Sequence, residues 1–244
     1  MRVLGVDPGF ASCGIVRVVI RGSLERPGDV ELMKTLRTQP SAKKLKRLVS
    51  DDNLRRVREL SRTLSNHVAW SQVVCCESFS PPRNASSGAK VAFVWGALVA
   101  LCEAHGRPLL QATPQAIKKA LTGRRDAAKR QLQEALDLHY GEANVLDAMH
   151  QTPPGQYEHP YDALAAVHTC LDSEEVRLLW NVTSAGTNDN REGGLPWPRE
   201  EQTTDADVHP KAGVRLRSQT PKPREQVRER ARSSRFGGSN LPSD

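Results

Sequence analysis

At 244 residues the chain is long enough for one substantial core plus an appendage. Its 35 Lys and Arg against 28 Asp and Glu leave a formal charge of +7 and a pI near 9.4. That balance favours a polyanionic partner without choosing between nucleic acid and an acidic membrane surface. The most apolar stretch, Val91 to Cys102, is about 12 residues long, short of the roughly 20 that a membrane-spanning helix needs, so no span is expected. The N-terminal MRVLGVD lacks the long apolar region and small-residue cleavage site of a secretory signal, which makes the cytoplasm the expected location. Cys13, Cys75, Cys76, Cys102 and Cys170 form no C-x-x-C pair and no regular spacing with histidine. Neither a zinc site nor a disulfide framework is indicated, and reduced, mostly buried thiols are expected.

Arg2 to Val6 is an apolar run halted by Asp-Pro-Gly, which reads as strand, then turn. Cys13 to Ile20, rich in β-branched residues, suits a second strand and Val30 to Thr38 a third, so the chain opens with an antiparallel meander. A basic cluster, Lys43 to Arg47, precedes a helical pattern in which Leu54, Val57, Leu60, Leu64 and Val68 recur at three- and four-residue steps. Ser71 to Cys76 then runs apolar into Glu77, and the intervening helix makes a strand parallel to the first natural. Asn84 to Ala104 reads as a long helix, Pro108 to Gln111 as a short strand, and Thr113-Pro114 as the start of a helix ending near Gly123. Asp126 can cap a further helix to about His139, and His159-Pro160 opens a last one to about Leu171.

Near Thr183 periodic apolar residues give way to Gly, Pro, Ser, Thr and charge, as in a disordered segment. Residues 181 to 210 carry a net charge of −4 and residues 211 to 235 a net of +7. The expected organisation is a folded domain over 1–180 and a tail over 181–244, an acidic spacer followed by a basic arm.

Asp7 and Glu77 close two strands expected to lie side by side, which brings two carboxylates to one sheet edge. His159 and Asp162, three apart, share one helix face. Four such groups can hold two divalent cations, which activate water and support a departing phosphate oxygen. Oxygen-rich ligation suits Mg²⁺, and the imidazole makes Mn²⁺ plausible too. Taken singly, each residue also has a structural reading: Asp7 as the start of a turn, Glu77 as the partner of a surface cation, His159 as a helix cap with Asp162 as a first-turn acid.

In combination, MRVLGVDPG, ESFSPPRN from Glu77 to Asn84, TPQAIKKALTGRRDAAKRQ at 113 to 131 and HPYDALAAVH at 159 to 168 follow one another as in the RuvC family of Holliday-junction resolvases, which the chain resembles over about residues 1 to 171. The resemblance implies an RNase H-like α/β fold, with a mixed five-stranded sheet and helices on both faces. It also implies a homodimer and a structure-specific DNA endonuclease that resolves four-way junctions by paired, metal-dependent nicks. Asp7 and Glu77 match the family's strand carboxylates, Asp162 its last helix acid, and His159 stands where many members have Asp. All four are thus expected catalytic and metal-binding residues, for two Mg²⁺ or Mn²⁺ ions. Lys118 and Lys129 match basic positions facing DNA, and Phe79, Asn84 and Lys90 are further candidates for DNA contact.

Three departures stand out. Ser80 occupies the place where members often carry a wedge aromatic, with Phe79 one residue earlier; AFVWG at 92 to 96 replaces a more polar stretch; Lys43 to Arg47 and the tail have no counterpart. A nuclease of flaps or Y-forks and a non-catalytic junction-binding protein therefore remain as alternatives, and a branch-migration motor as a further partner.

Overall fold

The computed structural model describes residues 1–42, 48–80 and 84–185. The cluster Lys43 to Arg47 and the sequence beyond 185, which holds most of the expected tail, lie outside the described residues. In chain order the elements are β1 (Arg2–Asp7), β2 (Ser12–Val19), β3 (Asp29–Arg37), α1 (Val49–Trp70), β4 (Val73–Glu77), α2 (Ala85–Ala104), β5 (Leu109–Ala112), α3 (Pro114–Thr122), α4 (Lys129–Tyr140), α5 (Glu142–Ala148), α6 (Glu158–Cys170) and α7 (Glu174–Ala185). The strands form one mixed sheet in the order β3-β2-β1-β4-β5. β1, β2 and β3 pair antiparallel, whereas β4 runs parallel to both β1 and β5.

Strand periodicity divides the core into two layers. Leu4, Val6, Cys13, Ile15, Val74 and Cys76 point to the side covered by α1 and α2; Val3, Val16, Val18, Val73 and Cys75 point to the side covered by α6. Helix α6 is pressed from both sides, by the sheet and by α3 and α4. Its run Ala163-Leu164-Ala165-Ala166-Val167 is buried throughout, so small residues alternate with the larger ones that fill the core. All five cysteines are free and buried, as expected.

How close α6 comes to the sheet is decided by two glycines. A β-carbon on Gly5 would lie 2.5 Å from the Ala163 carbonyl oxygen, and one on Gly14 would lie 2.1 Å from that of His159. Both obstacles are backbone, which cannot rotate away. With hydrogen at both positions, the first turn of α6 rests directly on β2 beside the end of β1.

Several boundaries differ from the sequence reading. Helix α4 begins at Lys129, with Ala128 at the cap position and the Gln131 side chain accepting from the Ala128 N–H at 2.9 Å. Asp126 instead pairs with Arg124 at 3.0 Å, which leaves it unavailable as a cap. His159 is no cap either: Tyr157 holds that position and His159 lies inside the helix. Helices α5 and α7 are additional, and α7 runs past residue 180 to Ala185. Helix α2, with a mean hydropathy of 1.5 over an 18-residue window, is by length and composition long and apolar enough to cross a bilayer, contrary to the expectation drawn from Val91 to Cys102. Here it packs on the sheet and on α1 through Val94, Leu98 and Cys102, and leaves Phe93 (52% exposed) and Val99 (43%) outward.

Because a methyl at residue 14 meets helix backbone, Gly14→Ala should destabilise the fold by roughly 1–3 kcal/mol, the usual range for overpacking. Urea denaturation measures this, and an unchanged midpoint would show that α6 docks less tightly than described.

Candidate active site

Asp7 and Glu77 arrive at one edge because β1 and β4 are parallel and in register, with Val6 opposite Cys76 one step earlier. Each continues the alternation of Val3 and Gly5, or of Val73 and Cys75, so both carboxylates face α6. The chain turns at once after Asp7, where the Gly9 N–H donates to the Asp7 carbonyl at 2.8 Å. The backbone of Asp7 thus starts a turn while its side chain is directed elsewhere. Behind this loop the guanidinium of Arg56, buried on α1, lies over the Phe10 ring and donates to the Thr38 hydroxyl at 2.9 Å, which in turn donates to the Phe10 carbonyl at 2.8 Å.

From the other side, α6 presents Glu158, His159 and Asp162 in its first turns. His159 Nδ1 lies 2.7 Å from Asp7 Oδ2. Lys129, the first residue of α4, points its ammonium at the same turns: Nζ donates to Glu158 Oε1 and, at 3.1 Å, to Asp162 Oδ2. Glu77, Lys118, Lys129 and Asp162 line a cleft of about 240 Å³, floored by Ile117, Leu132 and Ala165.

The charges are strongly coupled. Burial pushes the Glu77 carboxyl above its ordinary value, helped by the negative charges of Asp162 and Asp7, while Lys129 and Lys118 partly offset the rise. Asp162 is raised by burial and by Asp7, against the pull of Lys129. The hydrogen bond to Asp7 raises His159, although burial opposes it. Hydrogen bonding to Lys129 lowers Glu158.

The donor set suits hard divalent cations: three carboxylates and one imidazole, two of the carboxyls holding protons more tightly because they are buried and, secondarily, because negative charge stands nearby. Among the described residues no three acidic, histidine or cysteine groups already stand at ion-holding distance. One oxygen of Asp7 is engaged by His159 and one of Asp162 by Lys129.

Of the expected residues, Asp7, Glu77, His159, Asp162, Lys118 and Lys129 come together at this edge. Phe79, Asn84 and Lys90 do not line the cleft. Phe79, 39% exposed, stands edge-on to Trp95 with ring centroids 6.1 Å apart. Asn84 Oδ1 is occupied by the N–H groups of Ser86 and Ser87, capping α2. Lys90 is half-buried on α2. Glu158 was not among the expected residues, yet its four-residue spacing from Asp162 puts the two on one helix face and could have marked it.

Residues 3–140 match the family model described as "Crossover junction endodeoxyribonuclease RuvC". The chain is 30% identical over 176 residues to the crossover junction endodeoxyribonuclease RuvC of Treponema pallidum (strain Nichols), covering 70% of this chain and 80% of that protein. It is 32% identical over 146 residues to that of Chloroflexus aggregans, covering 59% and 82%. Among solved structures, Thermus thermophilus RuvC superposes with a TM-score of 0.55 at 20% identity over 75% of this chain and 97% of the other. The same protein in complex with a Holliday junction substrate superposes at 0.54 and 23% identity, covering 69% and 92%. The yeast mitochondrial Holliday junction resolvase Ydc2 superposes at 0.51 and 12%, covering 70% and 77%. At these identities the superpositions carry the fold, the RNase H-like arrangement anticipated from the sequence.

Asp7 favours the protonated imidazole of His159. The resulting stability is complete below the unfolded-state pKa of about 6.5 and is lost as pH rises through the higher folded-state value. An NMR titration should therefore place the His159 midpoint above about 6.5 and find it lowered in Asp7→Asn. Identical midpoints in the two proteins would mean that the contact does not persist in solution.

Proposed function

Because the chain belongs to the RuvC family of crossover junction endodeoxyribonucleases, we propose that it resolves four-way DNA junctions in the cytoplasm by paired nicks, using Asp7, Glu77, His159 and Asp162 as its catalytic centre. The observation that carries this reading is the meeting at one sheet edge of two strand-end carboxylates with the first turns of α6. A protein that only bound junctions would gain nothing from acids crowded where phosphates must approach, since they repel the backbone that basic residues attract.

Asp7, Glu77, Asp162 and the His159 imidazole would hold two divalent cations, Mg²⁺ or Mn²⁺. Such ions supply, when bound, an activated water and stabilisation of charge on the departing oxygen. The protein's own groups do the rest. Lys118 and Lys129 face the cleft and draw a phosphate into it by charge. In the ion-free protein Asp7 holds the His159 ring at this edge through Nδ1, so the imidazole is already in place when ions load. Ile117, Leu132 and Ala165 give the cleft an apolar floor whose side chains offer water no hydrogen-bond partner.

Paired nicks require two such centres, and we assign the outward side of α2 to a second copy of this chain. Phe93 lies exposed there beside Leu54 and Val57 of α1, lining a groove of about 370 Å³. Apart from Ser50 and Asn53 this groove is apolar, and it holds no Lys or Arg to attract a phosphate, which suits a protein surface and not DNA. A branch-migration motor would act on the same DNA.

Incubating the protein with four-way, Y-shaped and linear DNA in Mg²⁺ or Mn²⁺, and mapping the nicks, tests the reading. Symmetric nicks confined to the four-way substrate are expected; equal cutting of all three would overturn it. Asp7→Asn, Glu77→Gln and Asp162→Asn should bind junctions normally but cut them more slowly by more than the roughly 10- to 100-fold that loss of an outer-shell partner costs. His159→Ala should be similarly impaired, with His159→Asp partly restored in Mg²⁺. Wild-type rates in these variants would remove the residues from the centre. For the assembly, Phe93→Asp should sediment as a monomer where the parent chain is a dimer, and an unchanged dimer would place the contact elsewhere.

A further inference from the structure

Lys129 has two carboxylate partners with different obligations. Asp162 belongs to the set proposed to hold cations; Glu158, one turn earlier on the same face of α6, does not, and its side chain is 58% exposed. An ion pair this open to solvent adds little to folding. Its position, however, affects chemistry, because a lone ammonium 3.1 Å from Asp162 competes directly with any cation that needs the same carboxylate.

We propose that Glu158 is a positioning residue that draws the Lys129 ammonium away from Asp162, so that Asp162 is free to take a cation while Lys129 stays at the rim of the cleft. This inference rests on the metal-dependent reading above. Three observations support it. Lys129 Nζ bridges both acids instead of pairing with one. Lys129 is anchored as the first residue of α4, where the Gln131 side chain closes the helix start, so its ammonium reaches the first turns of α6 from a fixed base. Glu158 is itself the first residue of α6, where the helix dipole favours a carboxylate and its removal leaves the rest of the helix in place. When Asp162 turns to a cation, the ammonium keeps a carboxylate partner and is not expelled into solvent. It therefore remains beside the path of an incoming phosphate.

The role makes a prediction about coupling that a mere extra negative charge does not. Mn²⁺ binding to the full chain without DNA, read by calorimetry and by the electron paramagnetic resonance of free Mn²⁺, is compared in wild type, Glu158→Gln, Lys129→Met and the double variant. Glu158→Gln should weaken Mn²⁺ binding about three- to fivefold, the scale of one exposed ion pair. In the Lys129→Met background the same substitution should have almost no effect, because no ammonium is left to divert. Glu158→Asp should recover most of the loss, and circular dichroism should be unchanged throughout. Equal weakening in both backgrounds would show that Glu158 acts only through its charge, and unaltered or tighter binding in Glu158→Gln would refute the diversion outright. If the wild-type protein bound no Mn²⁺, the metal reading would fall and the proposal with it.

Discussion

The site depends on how closely one helix can lie on a sheet. A helix packed through ordinary side chains keeps its backbone well clear of the strands beneath, whereas Gly5 and Gly14 let the backbone of α6 approach β1 and β2 to within contact of where β-carbons would be. This depth allows His159, in the first turn of α6, to reach Asp7 at the end of β1. Ala163, Ala165 and Ala166 extend the same economy of volume along the helix, leaving room for α3 and α4 on its far side. Those two helices carry Lys118 and Lys129. Shallow packing would separate the carboxylates of the sheet from the groups of the helix, and the cleft would lose a wall.

The second constraint is electrostatic. Asp7, Glu77, Asp162 and Glu158 stand around one opening, and their mutual repulsion has to be answered in the free protein. Side-chain cations answer it: the His159 imidazole on Asp7, and the Lys129 ammonium across Glu158 and Asp162. The free protein thus holds positive charge close to where ions are proposed to bind, which preserves the geometry of the carboxylates without ions. The consequence is competition, since on the proposed reading each of these cations would yield or be diverted as an ion enters.

What could be read in advance was local. The five strands follow from apolar runs and turn residues, and their order from the need to cross over between β1 and β4. Asp7 and Glu77 were legible as strand ends, and His159 with Asp162 as a three-residue spacing. Glu158 was harder because its importance comes from Lys129, and that pairing arises only once α4 lies beside α6. The start of α4 was misjudged for a local reason: Asp126 has the chemistry of a cap but pairs with Arg124, two residues before it. Helix α5, only seven residues long, is too short for its periodicity to stand out. Helix α7 ends in the region where composition was already turning polar. The span-like character of α2 was missed because Ser86, Ser87 and Lys90 break the apolar run without lowering the hydropathy of the whole helix enough.

The contact between Asp7 and His159 joins residues 152 positions apart. During synthesis β1, β2 and β3 emerge early and can pair with one another, since their connections are short. The edge proposed to be catalytic gains its other half only when α6 leaves the ribosome. Chain separation of this size slows closure, because loop entropy must be overcome before the contact repays it. It also orders events in time. A growing chain that has made both strand carboxylates and its basic α3 still lacks the helix that completes the proposed site. On the proposed reading, an incomplete product would carry basic groups that attract DNA without the helix groups needed to cut it.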